Sequence, residues 1–399
     1  MKWEKKTLDE LGTVGRGRSK HRPRNDPKLF GGKYPFIQTA DVKNANFYII
    51  NFSSTYNEEG LAQSKLWPAG TLCITIAANI ADTGILAIPA CFPDSIMGFV
   101  ANEEIADTRF VKYCFDVLQK ECKQISQGTA QDNLSWEKLS TIKFLVPPLQ
   151  TQKRIASILS AYDDLIENNQ KHIKLVEEAA QRLYKEWFVD LRFPGHEGVK
   201  IVDGVPEGWK IKKIEELADT MSGGTPTRSH EEYYSSGEIL WLKTKELNDG
   251  FIFDTEEKIT EAGLKNSSAK LFEKGCIILA MYGATIGRLG ISSVTMCCNQ
   301  ACCVLKIKEI FLFEYVYLWL VNNREMLISR GRGSAQSNLS QELIKQIEVR
   351  IPSDGVLIKF SNVVDKLLKN KEILEKQISS LREARDRLLP KLMSGEIEV

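Results

Sequence analysis

A chain of 399 residues exceeds the usual size of one hydrophobic core, so two or more domains are expected. Its 43% hydrophobic and 26% charged residues exclude a largely disordered chain, and no apolar run is long enough to span a membrane. A formal net charge of +1 argues against a generic, strongly basic nucleic-acid binder, so any such role must rest on local charge.

The first residues, Met1 to Lys6, are polar and lack the apolar stretch of a secretory leader, which makes a cytoplasmic location the expectation. Residues 16 to 28, RGRSKHRPRNDPK, set Arg16, Arg18, Lys20, Arg22, Arg24 and Lys28 against Asp26 alone, in a stretch broken by Gly and Pro. A mobile cationic loop is expected there, serving either as a solvated surface or as a phosphate contact. Apolar runs at 72–77, 277–281 and 303–307 read as strands, and the spacing at 110–125 and 311–329 reads as helix. NLSWEKL and NLSQELI each open a short helix, with Ser135 and Ser340 as N-caps. Nine cysteines in so apolar a chain read as reduced. Cys297, Cys298, Cys302 and Cys303 read as small strand residues rather than zinc ligands, since neighbours on a strand face opposite ways and no paired histidine lies near.

Slid against itself, the sequence matches at an offset of 205 to 206 residues. Trp3 and Leu11 recur as Trp209 and Leu217, FIQTADV at 36–42 as WLKTKEL at 241–247, Gly70 as Gly275, and GTAQDNLS at 128–135 as GSAQSNLS at 333–340. A duplicated unit is implied: one α/β head followed by one long helix, with internal pseudo-two-fold symmetry. The helices carry seams in alternating steps of four and three. The first runs Ile155, Leu159, Tyr162, Ile166, Asn169, Ile173, Val176, Ala180, Leu183, Trp187. The second runs Phe360, Val364, Leu367, Lys371, Leu374, Ile378, Leu381, Arg385, Leu388, Leu392. Lys371 and Arg385 are expected to reach water with their charged ends. Asn169 either fixes helix-pair register from within the seam or faces solvent.

A helix over 152–188 is about 55 Å long, and the linker 191–206 reaches at most about 55 Å when fully extended. Antiparallel packing of the two helices makes almost no demand on that linker. Two inverted heads on a rigid rod then match the local two-fold axes of a DNA duplex, and the geometry predicts a bipartite target with differing half-sites.

GVPEGWK at 204–210, SGGTPTR at 222–228, MYGATIGRLGI at 281–291, NQA at 299–301 and GSAQSNLS, together with GTAQDNLS, VPPLQTQKRIASIL at 146–159 and LRFPGHE at 191–197, resemble type I restriction-modification specificity subunits over nearly the whole chain. The first head departs from the pattern, with GRGRSKHRPR and AANIADTGIL in place of SGGTPTR and MYGATIGRLGI. The resemblance implies an α/β (α+β) fold: target-recognition domains at 1–150 and 207–354, spacer helices at 151–190 and 355–393 packed as an antiparallel coiled coil, a linker at 191–206 and a tail at 394–399. It implies a non-catalytic DNA-recognition subunit that docks two modification (methyltransferase) subunits and, in the full complex, restriction subunits. No cofactor is expected in this chain; S-adenosylmethionine belongs to the modification subunit and ATP with magnesium to the restriction subunit.

Groove chemistry selects loop residues: Arg and Lys suit guanine or phosphate, Gln suits adenine, and hydroxyls suit either. The DNA-contact candidates are Arg16, Arg18, Lys20, Arg22, Gln38, Thr39 and Lys43 in head one. In head two they are Thr225, Thr227, Arg228, Lys243, Thr244, Lys245, Tyr282 and Arg288, with a tight strand connection as the other reading of Tyr282. Gln131, Asn133, Gln336 and Asn338 are expected at a head-to-helix junction or partner dock. An enzyme reading lacks its motifs: there is no Asn- or Asp-Pro-Pro-aromatic loop, no complete glycine-rich cofactor loop and no phosphate loop. The acidic cluster Asp254, Glu256, Glu257 with Lys258 has no specific nuclease spacing, and the four histidines are scattered. A duplicated scaffold that binds only protein is the remaining alternative.

Overall fold

A computed structural model describes residues 3–76, 82–125, 139–202, 204–332 and 338–399. The chain forms two compact units, Met1–Asn168 with Ile378–Val399, and Asn169–Gln377.

In the first unit a five-stranded sheet has the order Gly12–Arg16, Ile96–Ala101, Leu72–Thr75, Thr83–Leu86, Tyr48–Ile49, antiparallel except for its last pair. Beside it lies a four-stranded sheet, Ser54–Tyr56, Phe30–Phe36, Ala90–Cys91, Leu66–Trp67. The second unit repeats the five-stranded order with Ala218–Ser222, Cys302–Ile307, Ile277–Ala280, Leu289–Ser292 and Phe251–Ile252. A three-stranded sheet accompanies it: Lys258–Ile259, Ile239–Leu242, Cys297–Cys298. The duplication extends to single turns, since Gly70 and Gly275 both adopt φ +83°, a left-handed turn that glycine enters without a Cβ penalty.

Alternation along the strands sends successive side chains to opposite cores. Cys297 and Cys298 enter different clusters, as do Cys302 and Cys303, and burial pushes the Cys297 and Cys303 thiols up to about 12. Ser340 caps the helix Gln341–Lys345, its hydroxyl accepting from Leu343 N at 3.1 Å, whereas Ser135 lies outside the described residues. Helix Thr108–Ile125 forms as the spacing requires. The 311–329 stretch divides instead into Phe313–Asn322 and Arg324–Arg332, where the amides of Asn322 and Asn323 turn back to the carbonyls of Leu318 and Trp319.

Two long helices, Leu149–Tyr184 and Asp354–Ser394, supply the seam. They run antiparallel. In the second unit Asn169 meets Gln377, Glu177 meets Lys371, and Tyr184 packs against Phe360. In the first unit Ile155 and Leu159 share a core with Leu389 and Leu392, and Asp163 meets Arg385. Each core continues from head into helix pair: Ile277, Leu305 and Tyr315 belong to the same cluster as Tyr184, Phe360 and Val364. The linker does not stretch. It folds as a small hairpin, Ile201–Val202 with Val205–Pro206, and buries Phe193 in the second unit's core.

The expectation that Lys371 and Arg385 reach water is overturned for Lys371 and met only in part by Arg385, which is 24% exposed and bonds Asp386 at the surface. Lys371 is 2% exposed, its ammonium 2.6 Å from the Glu177 carboxylate and donating to the Asp249 carbonyl at 2.5 Å. Arg385 turns inward onto Asp163, which is itself buried and accepts from the Tyr113 hydroxyl at 2.6 Å. The physical reason is that the opposing helix and the head supply carboxylates and a carbonyl at these layers, so charge is neutralised inside the seam.

Candidate nucleic-acid interface

In the second unit, strand register gathers four loops at one end of the sheets. Ser222 pairs with Cys303, Ala280 with Cys302 and Leu279 with Leu289, so 223–228, 281–288 and 299–301 leave the five-stranded sheet on the same side. Leu242 pairs in parallel with Cys298, which brings 243–247 alongside 299–301. All eight head-two candidates stand on these loops.

The first loop is built by close approach. A Cβ at Gly223 would lie 1.9 Å from the Cys298 carbonyl oxygen, and one at Gly224 would lie 2.2 Å from the Ser268 hydroxyl. Trp241 Nε1 donates to the Gly224 carbonyl at 2.9 Å, and the Tyr234 hydroxyl to the Pro226 carbonyl at 2.5 Å. Gly223, Gly224 and Pro226 are thereby held inward, while Thr225, Thr227 and Arg228 are exposed. The Thr225 hydroxyl donates to Gln300 Oε1.

Glu257 bridges two of the cations. Lys243 Nζ donates to its Oε1, and Arg228 Nη2 lies 2.8 Å from its Oε2. The Lys243 hydrogen bond and, after it, Arg228 hold the Glu257 carboxyl below its usual range against the opposing effect of burial. Lys245 pairs with Glu256 at the surface, and Thr244 opens the single turn Thr244–Glu246. Tyr282 is exposed and its carbonyl accepts from Thr285, so it closes a tight connection as well as standing at the sheet end; Arg288 is exposed at the far side of that connection.

The first unit places its candidates by the same register. Arg16 pairs with Met97, Ile96 with Thr75, and Phe36 in parallel with Cys91, so 17–26, 37–43 and 92–95 share one sheet end. The segment 77–81 lies outside the described residues. The mobile loop expected at 16–28 is instead tied down. Gly17 N donates to the Ile96 carbonyl at 2.8 Å, Arg18 N to that of Phe92 at 3.0 Å, Lys20 N to Gln63 Oε1 at 2.6 Å, and Ser64 Oγ to the Arg18 carbonyl at 2.7 Å. Backbone partners on either side fix an alternation in which Arg16, Arg18 and Lys20 are exposed while Gly17 and Ser19 are buried. Arg16 Nε donates to the Asp94 carbonyl at 2.6 Å, and Arg22 folds back on the carbonyls of Ser19 and His21. Gln38 reaches Ser54 at 3.4 Å and opens the helix Thr39–Asn44, on which Lys43 is exposed and Thr39 half-buried.

Gln131, Asn133 and Gln336 lie outside the described residues. Asn338 is half-buried next to Leu339, whose N–H donates to the Met281 carbonyl at 2.9 Å, so it sits beside the 281–288 connection. Asn169 is in the seam, 9% exposed, with Nδ2 donating to Gln377 Oε1 at 3.1 Å. Sequence reasoning passed over Gln300, Gln63 and Asp94, which brace these loops, and set Glu257 aside as part of a nonspecific acidic cluster without seeing that it braces them too. The NQA motif was the only signal for Gln300, and nothing local distinguishes Gln63 or Asp94. Glu256 and Glu257 are occupied by Lys245, Lys243 and Arg228. Among the described residues no group of three His, Cys, Asp or Glu is arranged to hold a metal ion, and no helix is long and apolar enough to cross a membrane.

The model of the type I restriction modification DNA specificity domain matches the chain twice, over residues 1–178 and 206–382. The chain belongs to this family, as a DNA-recognition component rather than a catalytic subunit. It is 26% identical to the type I restriction enzyme MjaIX specificity subunit of Methanocaldococcus jannaschii, aligned over the whole of this chain and 94% of that protein. It is 24% identical to the HindI specificity subunit of Haemophilus influenzae over 91% of this chain and 94% of the relative. The crystal structure of a type I restriction-modification S subunit from M. genitalium shares the fold, with a TM-score of 0.61 at 18% identity, covering 98% of this chain and 96% of that one.

Proposed function

We propose that each unit reads one half of a bipartite double-stranded DNA target through the loop end described above, and that the two long helices fix the spacer between the half-sites. The supporting observation is that one chain builds the same sheet end twice and furnishes it with different side chains. Contacts fall to Arg16, Arg18, Lys20, Arg22, Gln38, Thr39 and Lys43 in one half-site, and to Thr225, Thr227, Arg228, Lys243, Thr244, Lys245, Tyr282 and Arg288 in the other.

The helices also serve as the dock for two modification subunits, with restriction subunits joining in the full complex. Ile158, Leu165 and Leu175 on the first helix, and Ile358, Val363 and Ile373 on the second, are exposed apolar residues outside the seam, a composition suited to a partner surface. S-adenosylmethionine and ATP with magnesium act in those partners, in the cytoplasm, with adenine N6 as the methylated atom.

The deciding experiment is a methylation map of DNA from cells with and without this gene, the modification subunit being present in both. Loss of an adenine-methylated split motif of fixed spacing is expected. An unchanged map, with the modification subunit active through another specificity partner, overturns the reading in favour of a protein-binding scaffold.

A further inference from the structure

We propose that Arg228 reads a guanine edge in the half-site taken by the second unit, and that Tyr234, Trp241 and Glu257 position its guanidinium for that contact. This rests on the DNA-reading face proposed above and names one base chemistry within it.

The guanidinium carbon of Arg228 stands 4.4 Å from the Tyr234 ring centroid and 5.1 Å from that of Trp241. Both rings hydrogen-bond the loop that carries Arg228, Tyr234 at Pro226 and Trp241 at Gly224, so arginine, stack and loop form one braced piece. Arg228 keeps 55% of its side chain exposed. Glu257 supplies the counter-charge at 2.8 Å, yet its Oε2 receives no aligned hydrogen bond. The pairing is therefore chiefly ionic and engages one nitrogen of the guanidinium, and among the described residues Arg228 makes no other hydrogen bond. Arg24 in the first unit differs: its Nη2 donates to both carboxylate oxygens of Asp94, at 2.6 and 2.8 Å.

A stacked, oriented fork with unused donors is what bidentate recognition of guanine O6 and N7 requires, and its ordering cost is met before binding. Phosphate is the weaker match. A carboxylate 2.8 Å away offsets the attraction of Arg228 for an anion, whereas hydrogen bonding to a neutral base edge is not weakened in that way. Lys243 is not a second candidate for this contact, since its ammonium is drawn inward onto Glu257.

The test uses the full chain assembled with its modification subunits, with methylation mapping and DNA-binding titration of Arg228→Lys and Glu257→Gln. The lysine variant is expected to leave the first half-site and the spacer intact and to relax one guanine-containing pair in the second half-site by about tenfold to a hundredfold. Glu257→Gln is expected to relax the same pair to a smaller degree, and it carries the test should the lysine variant fail to assemble. A second half-site without guanine, an unchanged motif in both variants, or a uniform loss of affinity that lowers the log–log salt slope by about one overturns the assignment and marks a phosphate contact or a bystander. Failure of the underlying reading is separate: the unmodified protein then yields no split motif at all.

Discussion

Lys371 on the second long helix is buried against Glu177 on the first, with 2.6 Å between ammonium and carboxylate. The same ammonium donates to the Asp249 carbonyl and lies 3.7 Å from Glu375, whose carboxylate accepts from Phe251 N at 2.6 Å. One side chain thus joins both helices to the 249–251 segment of the head. Replacing it with methionine keeps most of the stem but leaves the Glu177 and Glu375 carboxylates without their shared cation, while the Asp249 carbonyl keeps the Tyr317 hydroxyl. Lys371→Met is expected to cost about 3 kcal/mol in denaturant unfolding. Glu177→Gln should cost less, because the amide oxygen can still accept from Lys371 and the Glu375 carboxylate remains beside the ammonium. A Lys371→Met stability equal to that of the unmodified protein would show the cluster to be energetically neutral.

The first unit carries its own buried charge at Asp163, 3% exposed, bonded by Tyr113 at 2.6 Å and paired with Arg385. Arg385→Leu leaves that carboxylate buried without a counter-charge, and a loss of about 3–5 kcal/mol is expected. The double replacement Asp163→Leu with Arg385→Leu removes both the penalty and the attraction and should recover most of the loss. Unfolding curves of the single and double variants form the cycle; an additive result would mean the two groups do not interact.

The duplication and the helix seam were legible because both are patterns of apolar spacing, and burying an apolar stripe leaves few alternatives. Ile155, Leu159, Val364 and Leu392 are buried in the structure on that ground alone. The charged layers were not legible. Whether Lys371 ends in water or in the seam depends on Asp249 and Glu177, which lie 122 and 194 positions away in sequence. Gly and Pro marked the loops of the candidate interface, and their cations stood out. Their braces did not, since Asp94 and Glu257 look like ordinary surface carboxylates until strand register sets them beside Arg24 and Arg228.

Glu314 gives a pH dependence with a definite sign. Burial raises its carboxyl above the ordinary value of 4.5, partly offset by the hydrogen bond from Ser361 at 2.7 Å. A folded-state value above the unfolded one means the folded chain holds the proton more tightly. The associated stability is full below about 4.5 and is lost as pH rises through the folded value. Glu314→Gln retains an acceptor for Ser361 and cannot ionise, so its stability advantage over the unmodified protein should grow from pH 4.5 to 7. Urea midpoints at four or five pH values measure this; a constant difference would exclude Glu314 as the titrating group.

Arg18 and Lys20 are exposed on a loop whose backbone is fixed, which suits phosphate contact better than base reading because neither is oriented by a side-chain partner among the described residues. Alanine at either position is expected to weaken binding to specific and non-specific duplexes alike and to lower the log–log salt slope by about one. Titrations between 50 and 200 mM salt resolve a change of that size. Relaxation at a single base pair with an unaltered slope would instead assign the residue to direct readout.

Asn169 is the polar residue of the first seam, 9% exposed and bonded to Gln377 across the helix pair. A polar residue at such a position lowers stability while disfavouring shifted registers, in which it would lose its partner. In Asn169→Leu the exposed Gln377 amide turns to solvent, so thermal stability should rise. With that restraint gone, neighbouring registers become accessible, and methylation of targets whose spacer is one base pair longer or shorter is expected to appear above background. The measurement is a competition among targets differing only in spacer length, scored by methylation of each. Higher stability with unchanged spacer selectivity would make Asn169 a packing residue and leave the spacer to the charged layers at Asp163 and Lys371.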